Sequence, residues 1–314
     1  MSNPASRRIV DVHAHLTPPA YVADLAGAGD LQPPTLNWTI GRHIEDMDKA
    51  GVELSILSVT TPGIWFKDVA RGRRLARLTN DSAAEMRQLH PKRISQFAAI
   101  PLPDTEGSLR EIEYGLDVLK ADGIAVFTNY GDKWLGDPAF DPVMDDLNRR
   151  KVVLYTHPIT SDCCANIAVP VRDAVIEYGT DTTRAIANWI LRGCGARWPN
   201  IKVIWSHAGG TMPFLIERFD RLSGVASFKP HIPNGFRAEA AKYFYDTAQS
   251  ANPVSMGALK QVVPMSQIVF GTDFPFRTAD DHVQRLVNGG VFSPDELRAI
   301  WRTNALPLMP RLSP

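Results

Sequence analysis

Eight short runs, most of them apolar almost throughout, recur along the chain with longer stretches between them: residues 9–13, 54–59, 94–100, 123–127, 152–157, 203–207, 243–247 and 268–273. Strands of a parallel sheet are covered on both faces, so they read as continuous apolar runs rather than alternating ones. The intervening stretches carry helical spacing. Ile44 and Met47 precede an Ala50-Gly51 stop, 75–89 ends at His90-Pro91, and 109–119, 140–149, 182–191 and 295–301 repeat the pattern. Strand and helix alternating in this way predict an α/β chain folded as a (β/α)₈ TIM barrel. The seventh run, Tyr243-Phe244-Tyr245-Asp246-Thr247, also reads as a loop.

Two connections are long. Residues 16–42, rich in Pro and Gly, read as a small insertion after the first strand that caps the barrel mouth, and 158–197 carries the adjacent Cys163 and Cys164. No repeat, low-complexity tract or linker divides the 314 residues, so a single domain over 1–314 is expected. Lys+Arg and Asp+Glu both number 34, which favours neither nucleic acid nor an anionic membrane and leaves a small molecule as the expected partner. Three cysteines without a C-x-x-C pair make neither a disulfide framework nor a thiolate metal site. Without an apolar leader or a long apolar run, the chain is expected in the cytoplasm.

The chemistry sits at the ends of the strands. His13-Ala14-His15 ends the first, and residues two apart in a strand share a face, so both imidazoles can converge on one ion. His157 ends the fifth run, His207 the sixth and Asp273 the eighth. The carboxyl ends of barrel strands are where such enzymes build their active sites. Each residue alone reads equally as a cap, a turn residue or a buried structural histidine. Together they predict a metal site, because four of the eight histidines fall at strand ends. The other four, His43, His90, His231 and His282, read as surface residues. Imidazoles with a carboxylate form a borderline-soft donor set that suits Zn²⁺, with Mn²⁺ or Co²⁺ as alternatives.

These residues resemble the amidohydrolase superfamily, in the branch that contains aminocarboxymuconate-semialdehyde, γ-resorcylate and 6-methylsalicylate decarboxylases. The resemblance runs from Val10 to about Asn304. It is carried by Asp11-Val12-His13-Ala14-His15, by Ser206-His207-Ala208-Gly209-Gly210 with Pro213 and Arg218, and by Gly271-Thr272-Asp273-Phe274-Pro275-Phe276. It implies a carboxy-lyase with His13, His15, His157 and Asp273 around one metal, since no strand-end lysine offers a bridge to a second. It leaves His207 as a weak ligand or an acid–base group behind the ligands. It also implies a homodimer in which Arg218 reaches a substrate carboxylate across the interface; a surface ion pair, for instance with Asp220, is the other reading of Arg218. The muconate-semialdehyde enzyme's second carboxylate-binding arginine would fall near Pro34, where none stands, which argues against a dicarboxylate. The run from Tyr245 to Pro253 is most similar to the 6-methylsalicylate group.

The expected function is therefore non-oxidative decarboxylation of an ortho-hydroxybenzoate, a small aromatic carboxylic acid. Asp273, or His207, would protonate the ipso carbon before CO₂ leaves. Trp38, Trp65, Phe66 and Phe276 are candidate walls for the ring, and each also reads as packing under a lid. Arg277 faces either a carboxylate or solvent, and Asp181-Thr182-Thr183-Arg184 reads as a helix N-cap and first turn. The same ligands would serve a lactone or amide hydrolase, the principal alternative. A metal-binding scaffold is a third reading, against which both His207 and Asp273 are retained.

Overall fold

In the computed structural model, which describes residues 7–25, 32–164, 170–309 and 312, the eight runs become eight parallel strands. They are β1 (Ile9–Leu16), β2 (Val52–Val59), β3 (Ile94–Ala99), β4 (Gly123–Phe127), β5 (Val153–His157), β6 (Lys202–Trp205), β7 (Phe244–Asp246) and β8 (Ile268–Val269). They pair in chain order. Closure comes from residues just beyond β8, which run alongside β1: Val12 N donates to Phe270 O at 3.0 Å, Asp273 N to His13 O at 2.8 Å and His15 N to Phe274 O at 2.9 Å. The chain is thus a (β/α)₈ barrel. The seventh run is a strand, held by β6 and β8 on either side.

Two apolar layers result. Val10, Val12, Leu54, Ile56, Phe97, Tyr155, Ile204 and Val269 fill the barrel interior, closed from below by Ala305, Leu308 and Met309. The larger layer lies between strands and helices. Filling the lower interior with apolar side chains leaves the upper end for the polar site. Each fully buried Val, Leu or Ile contributes about 1.5–3 kcal/mol against its exposed state.

One irregularity in β1 decides where the histidines point. Val10 and Val12 face the interior, whereas Ile9, Ala14 and Leu16 belong to the outer layer. Strict alternation would send His13 outward with Ile9. Between Asp11 and Ala14, however, β1 advances three residues while β2 advances two, from Ser55 to Leu57. This bulge inverts the alternation, and His13 meets the interior Tyr155 ring edge-on at 5.2 Å between centroids. Asp11 holds the bulge. Its Oδ1 accepts from His13 N and Thr272 N, both at 3.1 Å, and its Oδ2 from the Thr272 hydroxyl at 2.6 Å. Burial pushes the Asp11 carboxyl up to about 7 against the pull of these donors.

Several expectations are corrected. His43 and His282 are fully buried rather than on the surface, because helices Ile40–Ala50 and Ala279–Asn288 turn them toward the barrel. His43 Nε2 pairs with the Ser55 hydroxyl and His282 Nε2 with the Thr247 hydroxyl, both at 2.9 Å. His90 and His231 are half-buried. Asp181 to Arg184 are not a helix start but lie inside helix Asp173–Leu191. Its first half was illegible because Val175 and Ile176 there are exposed and break the amphipathic pattern. Asp181 is a buried anchor instead, accepting from Thr128, from Asn129 Nδ2 at 2.8 Å and from Trp134 Nε1 at 2.7 Å. After β1 the chain forms two short helices, Pro19–Asp24 and Pro33–Leu36; residues 26–31 of the expected insertion lie outside the described residues. The three cysteines are free thiols. Among the described residues no helix is long and apolar enough to cross a membrane.

Asp11→Ala orphans three buried donors and is expected to cost about 2–4 kcal/mol in urea unfolding. Asp11→Asn, which keeps Oδ1, is expected to cost under about 1 kcal/mol. Equal losses for the two would show that the carboxylate's hydrogen bonds do not hold the bulge.

Candidate metal centre

Five side chains converge at the upper end of the barrel. One donor atom each from His13, His157, His207 and Asp273 lie within 4.8 Å of one another, all buried. His15 joins them: its Nε2 is 3.1 Å from His13 Nε2 and 2.8 Å from Asp273 Oδ1. β1 supplies two of the five through its bulge, and β5 supplies His157 at its last residue. His207 and Asp273 stand in the turns that follow β6 and β8, both with left-handed backbones, φ +53° and +69°. Close approach of the backbones is secured by glycine. A Cβ on Gly271 would stand 2.7 Å from His13 Cβ and 3.1 Å from Asp246 Cβ.

The rings are held for ligation from behind. His13 Nδ1 contacts Asp246 Oδ2 at 2.8 Å, His157 Nδ1 contacts the Pro158 carbonyl at 2.8 Å, and His15 Nδ1 contacts the Ser58 carbonyl at 3.3 Å. Each acceptor holds a ring proton on Nδ1, so Nε2 is the nitrogen that would give a lone pair to a metal. His207 Nε2 is buried without a hydrogen-bond partner and lies 3.5 Å from Asp273 Oδ2. Inward-facing nitrogens around one carboxylate fit a divalent ion better than they fit one another.

Electrostatics follow from this crowding. Burial pushes the His13 imidazolium down, but the Asp246 and Asp273 carboxylates outweigh it and hold it up to about 10. Burial raises the Asp273 carboxyl, yet His13, His15 and His207 bring it well below the usual carboxylate range. Burial, reinforced by His15 and His13, drives His157 well below its ordinary value. His15 is lowered by burial above all.

Above the cluster opens a cavity of about 500 Å³. His157, His207 and Asp273 form its floor, Phe276, Ala174 and Val175 its apolar wall, and Thr61, Tyr178, Gln249 and Ser250 line its polar side. Neither lysine nor arginine lines it among the described residues. Phe276 thus stands where a ring would lie. Trp38 is elsewhere: it is buried against His43, its Nε1 donating to His43 Nδ1 at 3.3 Å. Trp65 and Phe66 line a separate, smaller cavity. Arg277 donates to Asp281 at 2.6 Å and to Gln249 at 3.3 Å. Arg218 is exposed on the short helix Ile216–Asp220, outside this cavity. The ion pair with Asp220 does not form, because Asp220 is taken by Arg237 at 3.1 Å.

The family model described as Amidohydrolase matches residues 10–310. The chain belongs to the amidohydrolase family. By sequence it is similar to the 6-methylsalicylic acid decarboxylase of Penicillium expansum, 37% identical over 96% of both chains. By structure it resembles the 5-carboxyvanillate decarboxylase of Sphingomonas paucimobilis, with a TM-score of 0.85, 22% identity and coverage of 97% and 99% of the two chains. It also resembles a dihydroxybenzoic acid decarboxylase from Polaromonas sp. JS666 solved with bound manganese and 2-nitroresorcinol, with a TM-score of 0.82, 21% identity and 98% of each chain. Within the amidohydrolase family, this chain is a carbon–carbon lyase.

Sequence reasoning missed Asp246, which lies at the end of the weakest strand pattern. Its Oδ1 also accepts from His207 N at 2.9 Å and Ala248 N at 3.0 Å, so one carboxylate sets two of the histidines. A fully buried acid closing an apolar run was the available signal. Asp246→Asn, with its amide oxygen kept on those backbone donors, turns an NH₂ toward His13 Nδ1 and moves that ring's proton to Nε2. Zn²⁺ affinity, measured by competition with a chromophoric chelator, is expected to fall about 10- to 100-fold with the circular dichroism unchanged. Wild-type affinity in this variant would show that Asp246 does not fix the tautomer.

Proposed function

We propose that this chain decarboxylates an ortho-hydroxybenzoate of the 6-methylsalicylate type, without net oxidation, using one divalent ion held by His13, His15, His157 and Asp273. The observation that carries the reading is the ring arrangement, in which the Nε2 atoms of His13 and His15 face the Asp273 carboxylate, His157 joins the same cluster, and every Nδ1 is tied behind. The 37% identity to a 6-methylsalicylic acid decarboxylase supports the substrate class. Zn²⁺ suits the donor set, and Mn²⁺ is the alternative. When bound, the ion supplies a Lewis-acid anchor for the acid's anionic oxygens and steadies the charge as aromaticity is broken.

The chain's own groups do the rest. Phe276, Val175 and Ala174 pack the ring and its alkyl substituent. Among the described residues of one subunit no cation lines the cavity. Asp273 Oδ2 carries the proton to the ipso carbon, and His207 Nε2, 3.5 Å away, reloads it. With that carbon protonated, the bond to the carboxylate breaks, its electron pair restores the ring and CO₂ leaves.

Metal-loaded protein incubated with 6-methylsalicylate, salicylate and γ-resorcylate is expected to consume at least one acid with matching CO₂ release. His157→Ala and Asp273→Ala should abolish turnover, and a chelator should do so until Zn²⁺ or Mn²⁺ is restored. Inertness toward all three acids with metal bound, together with lactone or amide turnover, would replace this reading by a hydrolase.

A homodimer belongs to the same proposal. Arg218 makes no ion pair among the described residues, and Phe214, four residues before it, is 86% exposed. A second copy covering this face would bring Arg218 to its neighbour's cavity. Arg218→Ala should then lower kcat/KM about 10- to 100-fold, and mixing it with the Asp273→Ala subunit should restore activity. Full activity in Arg218→Ala would remove the residue from the site.

A further inference from the structure

The two oxygens of Asp273 have different surroundings. Oδ1 faces the β1 histidines, 2.8 Å from His15 Nε2 and 3.3 Å from His13 Nε2. Oδ2 faces the cavity side, 3.5 Å from His207 Nε2 and 2.9 Å from the side-chain nitrogen of Gln249. Gln249 in turn accepts from Arg277 Nη2 through Oε1 at 3.3 Å, and Arg277 is tethered to Asp281 at 2.6 Å. A guanidinium only donates, and an ionised carboxylate only accepts. The amide between them therefore has one orientation, oxygen toward Arg277 and nitrogen toward Asp273, and its dipole carries the arginine's positive potential toward Oδ2.

The backbone points the same way. Gln249 sits at φ +52° on the cavity wall, three residues past Asp246. A left-handed backbone strains a residue with a Cβ, a strain that glycine would avoid. Retaining a long amide there is explained by what the amide does.

We propose that Gln249, oriented by Arg277, is the positioning residue that holds Asp273 with Oδ1 committed to the metal side and one lone pair of Oδ2 directed at the substrate's reacting carbon. This deepens the decarboxylase reading and rests on it for the identity of that carbon. Without the amide, the carboxylate is free to rotate about its Cβ–Cγ bond and to turn both oxygens toward the ion. Substrate would still bind, but the proton would be misplaced. The cost therefore falls on kcat rather than on KM.

Gln249→Met and Arg277→Met, singly and combined, test this in the metal-loaded protein. Gln249→Met is expected to lose about 10- to 100-fold in kcat, with KM within about threefold and metal content unchanged. Arg277→Met should fall in the same direction by less, and the double variant should be no slower than Gln249→Met, since both act through one chain of bonds. The visible bands of the Co²⁺-loaded protein should shift in Gln249→Met, because they report how Asp273 meets the ion. Unchanged kcat with unchanged bands, or multiplicative losses in the double variant, would overturn the proposal. If the wild type turns over no hydroxybenzoate, the decarboxylase reading fails separately. The Co²⁺ bands then decide for Gln249, a shift sustaining its hold on Asp273 and no shift ending it.

Discussion

The buried Asp246 carboxylate contacts His13 through one oxygen and the His207 and Ala248 backbone through the other, tying β1, the turn after β6 and the end of β7 into one cluster. An uncompensated carboxylate in such a place would be prohibitive. It is tolerated because both its oxygens have donors, and because a positive charge belongs beside it, whether a proton on His13 or an ion at Nε2. The positions of the other residues of the cluster follow from this fixed point. Gly271 lets the eighth strand's end pass within van der Waals reach of both His13 and Asp246, which brings Asp273 into line.

Much of this was legible in the sequence. Continuous apolar runs gave the parallel strands, and strand-end placement singled out His13, His15, His157, His207 and Asp273. What stayed hidden depends on register or on tertiary partners. The i, i+2 rule places His13 and His15 on one face, but which face depends on a bulge whose only local mark is Asp11. His43 and His282 are polar residues on helices, and nothing in their neighbourhoods announces the Ser55 and Thr247 hydroxyls that make burial affordable. Arg277 read as a carboxylate binder or a solvent-facing residue; it pairs with the Asp281 carboxylate and also donates to Gln249, a partner its sequence neighbours do not announce.

Half of the described non-glycine residues with positive φ, four of eight, stand at the site. Of the residues other than glycine with positive φ, His207, Ala208, Gln249 and Asp273 all stand at the carboxyl ends of the last three strands. Strand ends that turn through the left-handed region bring their side chains back over the barrel axis instead of letting them follow the chain outward to the helices. The cost, of order 1–3 kcal/mol at each such position, is carried by the apolar filling of the lower barrel, which has no functional demands on it.

The distance in sequence between the ligands gives the centre a further property. His15 and Asp273 meet across 258 residues, so the donors are assembled only once the last strand has closed against the first. An ion seated between them acts as a clasp on the barrel's seam. It would add up to RT ln(1 + [M]/Kd) to the stability of the closed form, less whatever the same histidines bind in a partly folded chain. A nascent chain still lacking its eighth strand has the imidazoles but no Asp273 to complete the donor set, so the full proposed site exists only in the closed barrel.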